Sequence, residues 1–197
     1  MLKILSLKTE YEHVPLGIDV TTPAFSWVLA ADGQNIMQKS YRLLVTGGGN
    51  KWDSGIVESD CSHLVLYGGA PLMPCTRYAV TVEITDSRGE RATAESSFET
   101  GLFGKFAADW ITDGRGKDEA GLPVFVKKFT AKEKPVAARL YASAHGVYTV
   151  EIGGKRAGDA VLAPGWTNYD HRIEYQTYDV TDLIAAGENE LSFACWS

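Results

Sequence analysis

Leu72-Met73-Pro74-Cys75-Thr76-Arg77-Tyr78-Ala79-Val80-Thr81-Val82-Glu83-Ile84-Thr85-Asp86 is the stretch on which the fold class turns. From Arg77 onward, Tyr78, Val80, Val82 and Ile84 share one parity, while Arg77, Thr81, Glu83 and Thr85 share the other. Successive side chains of an extended strand point to opposite faces, so this segment presents one face to a core and one to water. Asp86-Ser87-Arg88-Gly89 then carries turn chemistry, and residues 94–100 return as a partner strand. The same period recurs toward the N-terminus in Phe25, Trp27 and Leu29, in Tyr41, Leu43 and Val45, and in Leu2, Ile4 and, less cleanly, Leu7. With Leu64 and Leu66 added, about seven short strands are expected in the first hundred residues, the count of a small antiparallel sandwich. No segment sustains helical periodicity beyond two turns, which predicts an all-β chain.

The L-x-P-x-T-x-Y spacing of Leu72, Pro74, Thr76 and Tyr78, placed ahead of an alternating strand, resembles the tyrosine corner of fibronectin type III domains, with Trp27 as the core tryptophan. A buried Tyr ring fills the end of a sandwich, and its hydroxyl needs a backbone partner that the preceding corner provides. No cysteine precedes Trp27, which argues against an immunoglobulin domain.

Around Gly101-Leu102-Phe103-Gly104 the alternation stops, placing a boundary near residue 103 between a first domain, 1–103, and a second, 104–197. In the second, strands are expected to open at Trp110-Ile111 and to follow at residues 124–130, 137–144, 147–152, 173–178 and 190–194. Gly153-Gly154 reads as a two-residue hairpin turn into a strand over 156–162. Asp179-Val180-Thr181-Asp182-Leu183-Ile184 reads as one capped helical turn ended by Gly187. That order predicts a jelly-roll-like sandwich of the galactose-binding, carbohydrate-recognising kind.

Composition sets limits. At 197 residues, 45% hydrophobic and 22% charged, the chain has the makeup of a globular protein with room for two cores. A formal net charge of -6 without a Lys/Arg-rich block argues against nucleic acid. Cys61, Cys75 and Cys195 are odd in number and far apart, with no zinc-ligand spacing. The opening Met1-Leu2-Lys3-Ile4-Leu5 breaks into Thr9-Glu10-Tyr11-Glu12 before a signal-peptide core of roughly 7–15 apolar residues forms, and no stretch reaches the ~20 needed to span a bilayer. A cytoplasmic location without membrane partners is expected.

Longer stretches carry a family likeness. Pro15-Leu16-Gly17-Ile18-Asp19, Pro23-Ala24-Phe25-Ser26-Trp27, Tyr41-Arg42-Leu43-Leu44-Val45, Trp52-Asp53-Ser54-Gly55 and Phe98-Glu99-Thr100-Gly101-Leu102 resemble the N-terminal region of bacterial α-L-rhamnosidases. So do Ala138-Arg139-Leu140-Tyr141, Ala144-His145-Gly146-Val147-Tyr148, Leu162-Ala163-Pro164-Gly165-Trp166-Thr167-Asn168-Tyr169 and Tyr175-Gln176-Thr177-Tyr178-Asp179-Val180-Thr181, which are similar to the domain that family carries ahead of its catalytic barrel. The resemblance implies a multidomain enzyme that removes terminal L-rhamnose with inversion, using two carboxylates in a downstream (α/α)6 barrel. Inversion requires a general acid and a general base roughly 6.5–9.5 Å apart with water between them. On that reading this chain holds no catalytic residue, its partners are L-rhamnosides and the barrel, and the second sandwich is C-terminally truncated after Ala194-Cys195-Trp196-Ser197. An unfinished sheet exposes backbone and apolar surface, so the second domain is expected to lean on the first or on another copy of itself. Gly153 stands where relatives commonly place Asn before Gly, and either residue accepts the positive φ of the turn.

Trp166, Asn168, Tyr169, Asp170 and Arg172 form the candidate substrate-binding cluster, because sugars are held by an aromatic face against their C–H groups together with polar contacts. The competing reading makes Pro164-Gly165-Trp166 a buried loop anchor and Asp170 and Arg172 a surface pair. No D-x-D-type run of oxygen ligands is present, so neither metal nor other cofactor is expected. His145 and His171 read as structural or surface residues, Gly47-Gly48-Gly49-Asn50-Lys51 as a loop without phosphate-binding spacing, Trp52-Asp53-Ser54-Gly55 as the seat of an edge strand, and Asp118-Glu119 as solvated surface. The alternative to the rhamnosidase reading is a stand-alone carbohydrate-binding or adhesion module.

Overall fold

The opening strand, β1 (Leu2–Thr9), departs from simple alternation for a visible reason: its register against the next long strand slips between Ile4 and Ser6. The bulge turns Leu5 outward, 64% exposed, and returns Leu7 to the interior. A computed structural model describes residues 1–115 and 121–196, which divide into two units, Met1–Phe106 and a second from Ala107 onward. Asp118 and Glu119 lie outside the described residues.

The first unit continues with β2 (Leu16–Ile18), β3 (Ala24–Ala31), β4 (Gln38–Gly47), β5 (Asn50–Asp53), β6 (Val57–Glu58), β7 (Val65–Leu66), β8 (Arg77–Asp86) and β9 (Arg91–Thr100). β1, β3 and β7 form one sheet; β2-β9-β8-β4-β5, with β6 on β4, form the other. The pairings are antiparallel except that of β2 with β9. β2 and β6, of 3 and 2 residues, are too short to show a period of two, which is why the sequence pattern undercounts the strands.

The core lies between the two sheets. Phe25 and Trp27 of β3 meet Leu43 and Val45 of β4, Tyr78, Val80, Val82 and Ile84 of β8, and Phe98 of β9, all buried. Tyr78 stacks on Phe98 with ring centroids 5.2 Å apart, and its hydroxyl accepts a hydrogen bond from the Met73 N–H at 2.8 Å, so the corner before β8 satisfies the buried phenol. The Trp27 indole donates to Gln38 Oε1 at 2.8 Å, while Gln38 Nε2 donates to the Ser59 and Cys61 carbonyls, both at 2.9 Å. Leu64 and Leu66 are exposed at 47% and 60%, whereas Val65 and Tyr67 pack inward. The expected strand exists as β7, and its two residues offer no alternation from which to choose a face. Gly48 and Gly49, at φ 57° and 79°, close the β4–β5 hairpin, the left-handed pair that a two-residue turn demands. Trp52 of β5 packs edge-on against Tyr67, and Asp53 takes two bonds from Arg42 of β4, fixing this edge strand.

The second unit contains β10 (Val124–Ala131), β11 (Arg139–Ala142), β12 (Val147–Ile152), β13 (Lys155–Arg156), β14 (Gln176–Asp179), a 3-10 turn (Thr181–Leu183) and β15 (Gly187–Trp196). A four-stranded sheet, β10-β15-β12-β13, faces the pair β11-β14 across a core of Ala142, Ala144, Tyr148, Val150, Ile152 and Tyr178, with Leu191 and Phe193 against it. Buried Tyr148 donates to or accepts from the Tyr178 hydroxyl at 3.0 Å and also reaches the Ala142 carbonyl at 3.1 Å. Gly153 and Gly154, at φ 58° and 74°, make the expected hairpin. Three expectations fail. Trp110 and Ile111 lie in no strand and are 63% and 67% exposed. The strand expected over 156–162 stops at Arg156, as Gly158 at φ 69° redirects the chain. The strand expected from residue 173 starts at Gln176. The expected capped helical turn is a single 3-10 turn whose N-cap, Val180, makes no side-chain cap bond; Asp179 Oδ1 accepts from the Thr181 N–H at 3.0 Å just ahead of it.

Candidate functional site

All five residues of the candidate cluster fall in the loop between β13 and β14. Ala163 ties the start of this loop to β12, since the Tyr148 N–H donates to its carbonyl at 2.8 Å. Ala163 and Pro164, joined by a cis peptide, are buried, and Gln176 Nε2 donates to the Pro164 carbonyl at 3.1 Å. The anchor is therefore Ala163-Pro164. Trp166, which the competing reading buries, is 87% exposed. Past it, the Asn168 carbonyl accepts from the N–H groups of His171 and Arg172, both at 2.9 Å, and its side-chain Oδ1 accepts from the Asp170 N–H at 3.1 Å. Asn168 is thus the pivot of the turn, using the side-chain-to-backbone bond that Asn makes readily.

Tyr169 is half-buried. Its hydroxyl accepts from the Gly146 N–H at 2.9 Å and its ring stacks on His145, with centroids 5.0 Å apart and planes at 19°. His145 in turn meets the edge of Trp110 at 4.6 Å, and Trp166 lies 6.0 Å from Tyr169. A row of four rings, Trp110, His145, Tyr169 and Trp166, results. Spacing along the sequence does not reveal it, because β12 and the preceding turn bring His145 to Tyr169 only in the folded unit.

A shallow, open depression is lined by Trp166, Thr167, Asn168, Tyr169 and Asp170. Arg172 is not among its lining residues: its guanidinium pairs with Glu174, and no pair with Asp170 forms among the described residues. His171 is exposed on the same turn. Among the described residues no group of three or more His, Cys, Asp or Glu side chains converges as metal ligands, and all three cysteines are free.

The carboxylates with shifted ionisation lie elsewhere and shift downward. The Arg42 guanidinium, with the Gly55 N–H, holds Asp53 at about 2. Burial alone would raise Asp86, but the Arg88 and Glu90 N–H groups and the Arg88 side chain outweigh it and keep it below the ordinary value. The Arg115 N–H and guanidinium lower Asp113.

The architecture is that of a tandem β-sandwich module. The model of the family described as "Rha78A-like, N-terminal immunoglobulin domain" matches residues 4–104, and that of the "Alpha-L-rhamnosidase N-terminal domain" matches residues 133–195. An alpha-L-rhamnosidase from Formosa agariphila is 33% identical over 199 residues, covering 90% of this chain and 21% of the relative. Among solved structures, alpha-L-rhamnosidase from Dictyoglumus thermophilum superposes with a TM-score of 0.90 at 33% identity, over 98% of this chain and 25% of that one. Native alpha-L-rhamnosidase from Aspergillus terreus gives 0.84 at 31% identity, over 99% and 24%. The chain belongs to the Rha78A-like N-terminal immunoglobulin domain family and corresponds to the N-terminal region of alpha-L-rhamnosidases. It spans about a fifth of the length of the curated relatives it matches. The family model describes residues 4–104 as an immunoglobulin domain, so the absence of a cysteine before Trp27 excludes the inter-sheet disulfide but not the immunoglobulin class.

Proposed function

We propose that this chain is the non-catalytic N-terminal portion of an α-L-rhamnosidase, two sandwiches that support a catalytic barrel encoded outside these residues and help present a rhamnoside to it. The observation that carries this reading is proportion: 90% of the chain aligns with 21% of an alpha-L-rhamnosidase. The test is hydrolysis of a chromogenic α-L-rhamnoside by the 197-residue chain and by the same chain joined to the remainder of its parent. The first is expected to be inactive and the second active; cleavage by the chain alone overturns the assignment. The second reading, a stand-alone carbohydrate-binding or adhesion module, draws its support from Trp166 at 87% exposure. It requires sugar binding with no gain of hydrolysis when the remainder is joined.

A further inference from the structure

We propose that Trp166, Asn168 and Asp170 form a metal-free subsite on which one pyranose ring of a glycoside stacks, and that Tyr169, backed by His145 and Trp110, is the positioning residue that holds it. The choice of a rhamnoside as ligand rests on the function proposed above; the existence of the subsite rests on the loop.

Four observations converge. First, Trp166 presents a large aromatic surface at 87% exposure on a loop that is tied down on both sides, by the Ala163 bridge and the Gln176 bond before it and by the Asn168 turn after it. A ring held in place before binding loses little freedom when a ligand arrives. Second, two polar groups beside it are uncommitted: the Asn168 Oδ1 is used within the turn, but its amide NH2 and the Asp170 carboxylate have no protein partner among the described residues. An amide donor and a carboxylate acceptor are complementary to neighbouring sugar hydroxyls. Third, Tyr169 is fixed by the Gly146 N–H at its hydroxyl and by His145 against its ring, so the exposed Trp166 indole, 6.0 Å from it, has a neighbour held in place. Fourth, the depression is open and flat. An apolar ligand needs enclosure, and a phosphate-bearing one is repelled by Asp170 and a net charge of -6. A pyranose, with a C–H face for the indole and hydroxyls for the rim, fits both features. Arg172, neutralised by Glu174, is outside the subsite.

The experiment is a titration of the 197-residue chain with methyl α-L-rhamnoside, followed by tryptophan fluorescence and by saturation-transfer NMR, with and without EDTA. A saturable response indifferent to EDTA is expected, weakened about tenfold or more by Trp166→Ala and partly restored by Trp166→Tyr. The double variant Asn168→Ala/Asp170→Ala gives a second route to the same loss through exposed side chains whose removal spares the core. Tyr169→Phe weakens binding in the Trp166 background but not in Trp166→Ala, the non-additivity expected of a positioning residue. A response absent from the unaltered chain, equal in Trp166→Ala, or abolished by EDTA overturns the proposal. So does a Trp166→Ala chain that binds sugar normally but no longer associates with the catalytic portion, since the ring is then a docking element. Hydrolysis by the joined protein decides the rhamnosidase reading separately: an active joined enzyme with no Trp166-dependent binding sinks the subsite alone. An inactive one that still binds through Trp166 sinks the enzyme reading alone.

Discussion

In the first unit the space between the sheets is filled by Phe25, Trp27, Tyr78, Phe98 and a ladder of branched residues on β4 and β8; in the second, Ala142, Ala144, Ala157 and Ala163 occupy much of the equivalent space. Among the described residues, only Tyr148 and Val150 of the largest fully buried side chains belong to the second unit. A fully buried Val, Leu, Ile or Phe contributes about 1.5–3 kcal/mol, and an alanine methyl nearer ~0.8. Two sandwiches of similar class therefore differ in how far their own interiors stabilise them, and the second has the smaller margin.

The largest expected effect follows from that margin. Produced separately, residues 1–106 should melt in one sharp transition, whereas residues 104–197 should melt broadly or depend on concentration, as judged by calorimetry across a dilution series. A sharp, concentration-independent melt of 104–197 would erase the contrast. Next is Phe98→Ala, which opens a cavity between Tyr78 and Phe25 and should cost about 3–5 kcal/mol in denaturant titration.

Smaller effects separate the two buried tyrosines. Tyr148→Phe removes bonds to two buried partners, the Tyr178 hydroxyl and the Ala142 carbonyl, and should cost about 1–3 kcal/mol. Tyr78→Phe strands only the N–H of half-exposed Met73 and should cost about 1 kcal/mol. Equal losses would show that the two hydroxyls are satisfied alike.

Both units should also respond to pH, each through its own shifted groups. Asp53 sits at about 2 in the folded first unit against an ordinary 3.8, so its pair with Arg42 stabilises above pH 3.8 and is lost as pH falls toward 2. Asp53→Asn should flatten that acid limb. Burial, then the Tyr178 hydroxyl, raises Tyr148 well above its ordinary 10.0, so the second unit should lose stability as pH rises past 10, where the unfolded phenol ionises first. Tyr41 and Tyr67 are raised in the same direction in the first unit but by less, so the alkaline limb should be steeper in the second. The smallest effect is that of Trp166→Ala, which at 87% exposure should leave thermal stability within about 0.5 kcal/mol of the parent.

Much of this architecture can be read from residues in order. β8 coincides with the alternating stretch from Arg77 to Asp86, because a long half-buried strand repeats its constraint at every second position. Leu64 and Leu66 face outward beside inward Val65, since a two-residue β7 has no alternation to read, and the apolar pair Trp110-Ile111 stays in water outside any strand. In the candidate loop, Trp166, Asn168, Tyr169 and Asp170 do share one depression, and Arg172 leaves it for a carboxylate two positions on, a choice between near neighbours that composition does not decide.

Local order along the chain was sufficient for the period of two, the paired turns at Gly48-Gly49 and Gly153-Gly154 and the tyrosine corner, since each depends on atoms within a few residues of one another. Packing alone decided that Trp166 faces water while Ala163-Pro164 anchors its loop, and that Tyr169, His145 and Trp110 share one row of rings. Those contacts join residues distant in sequence, and only the folded second unit brings them together.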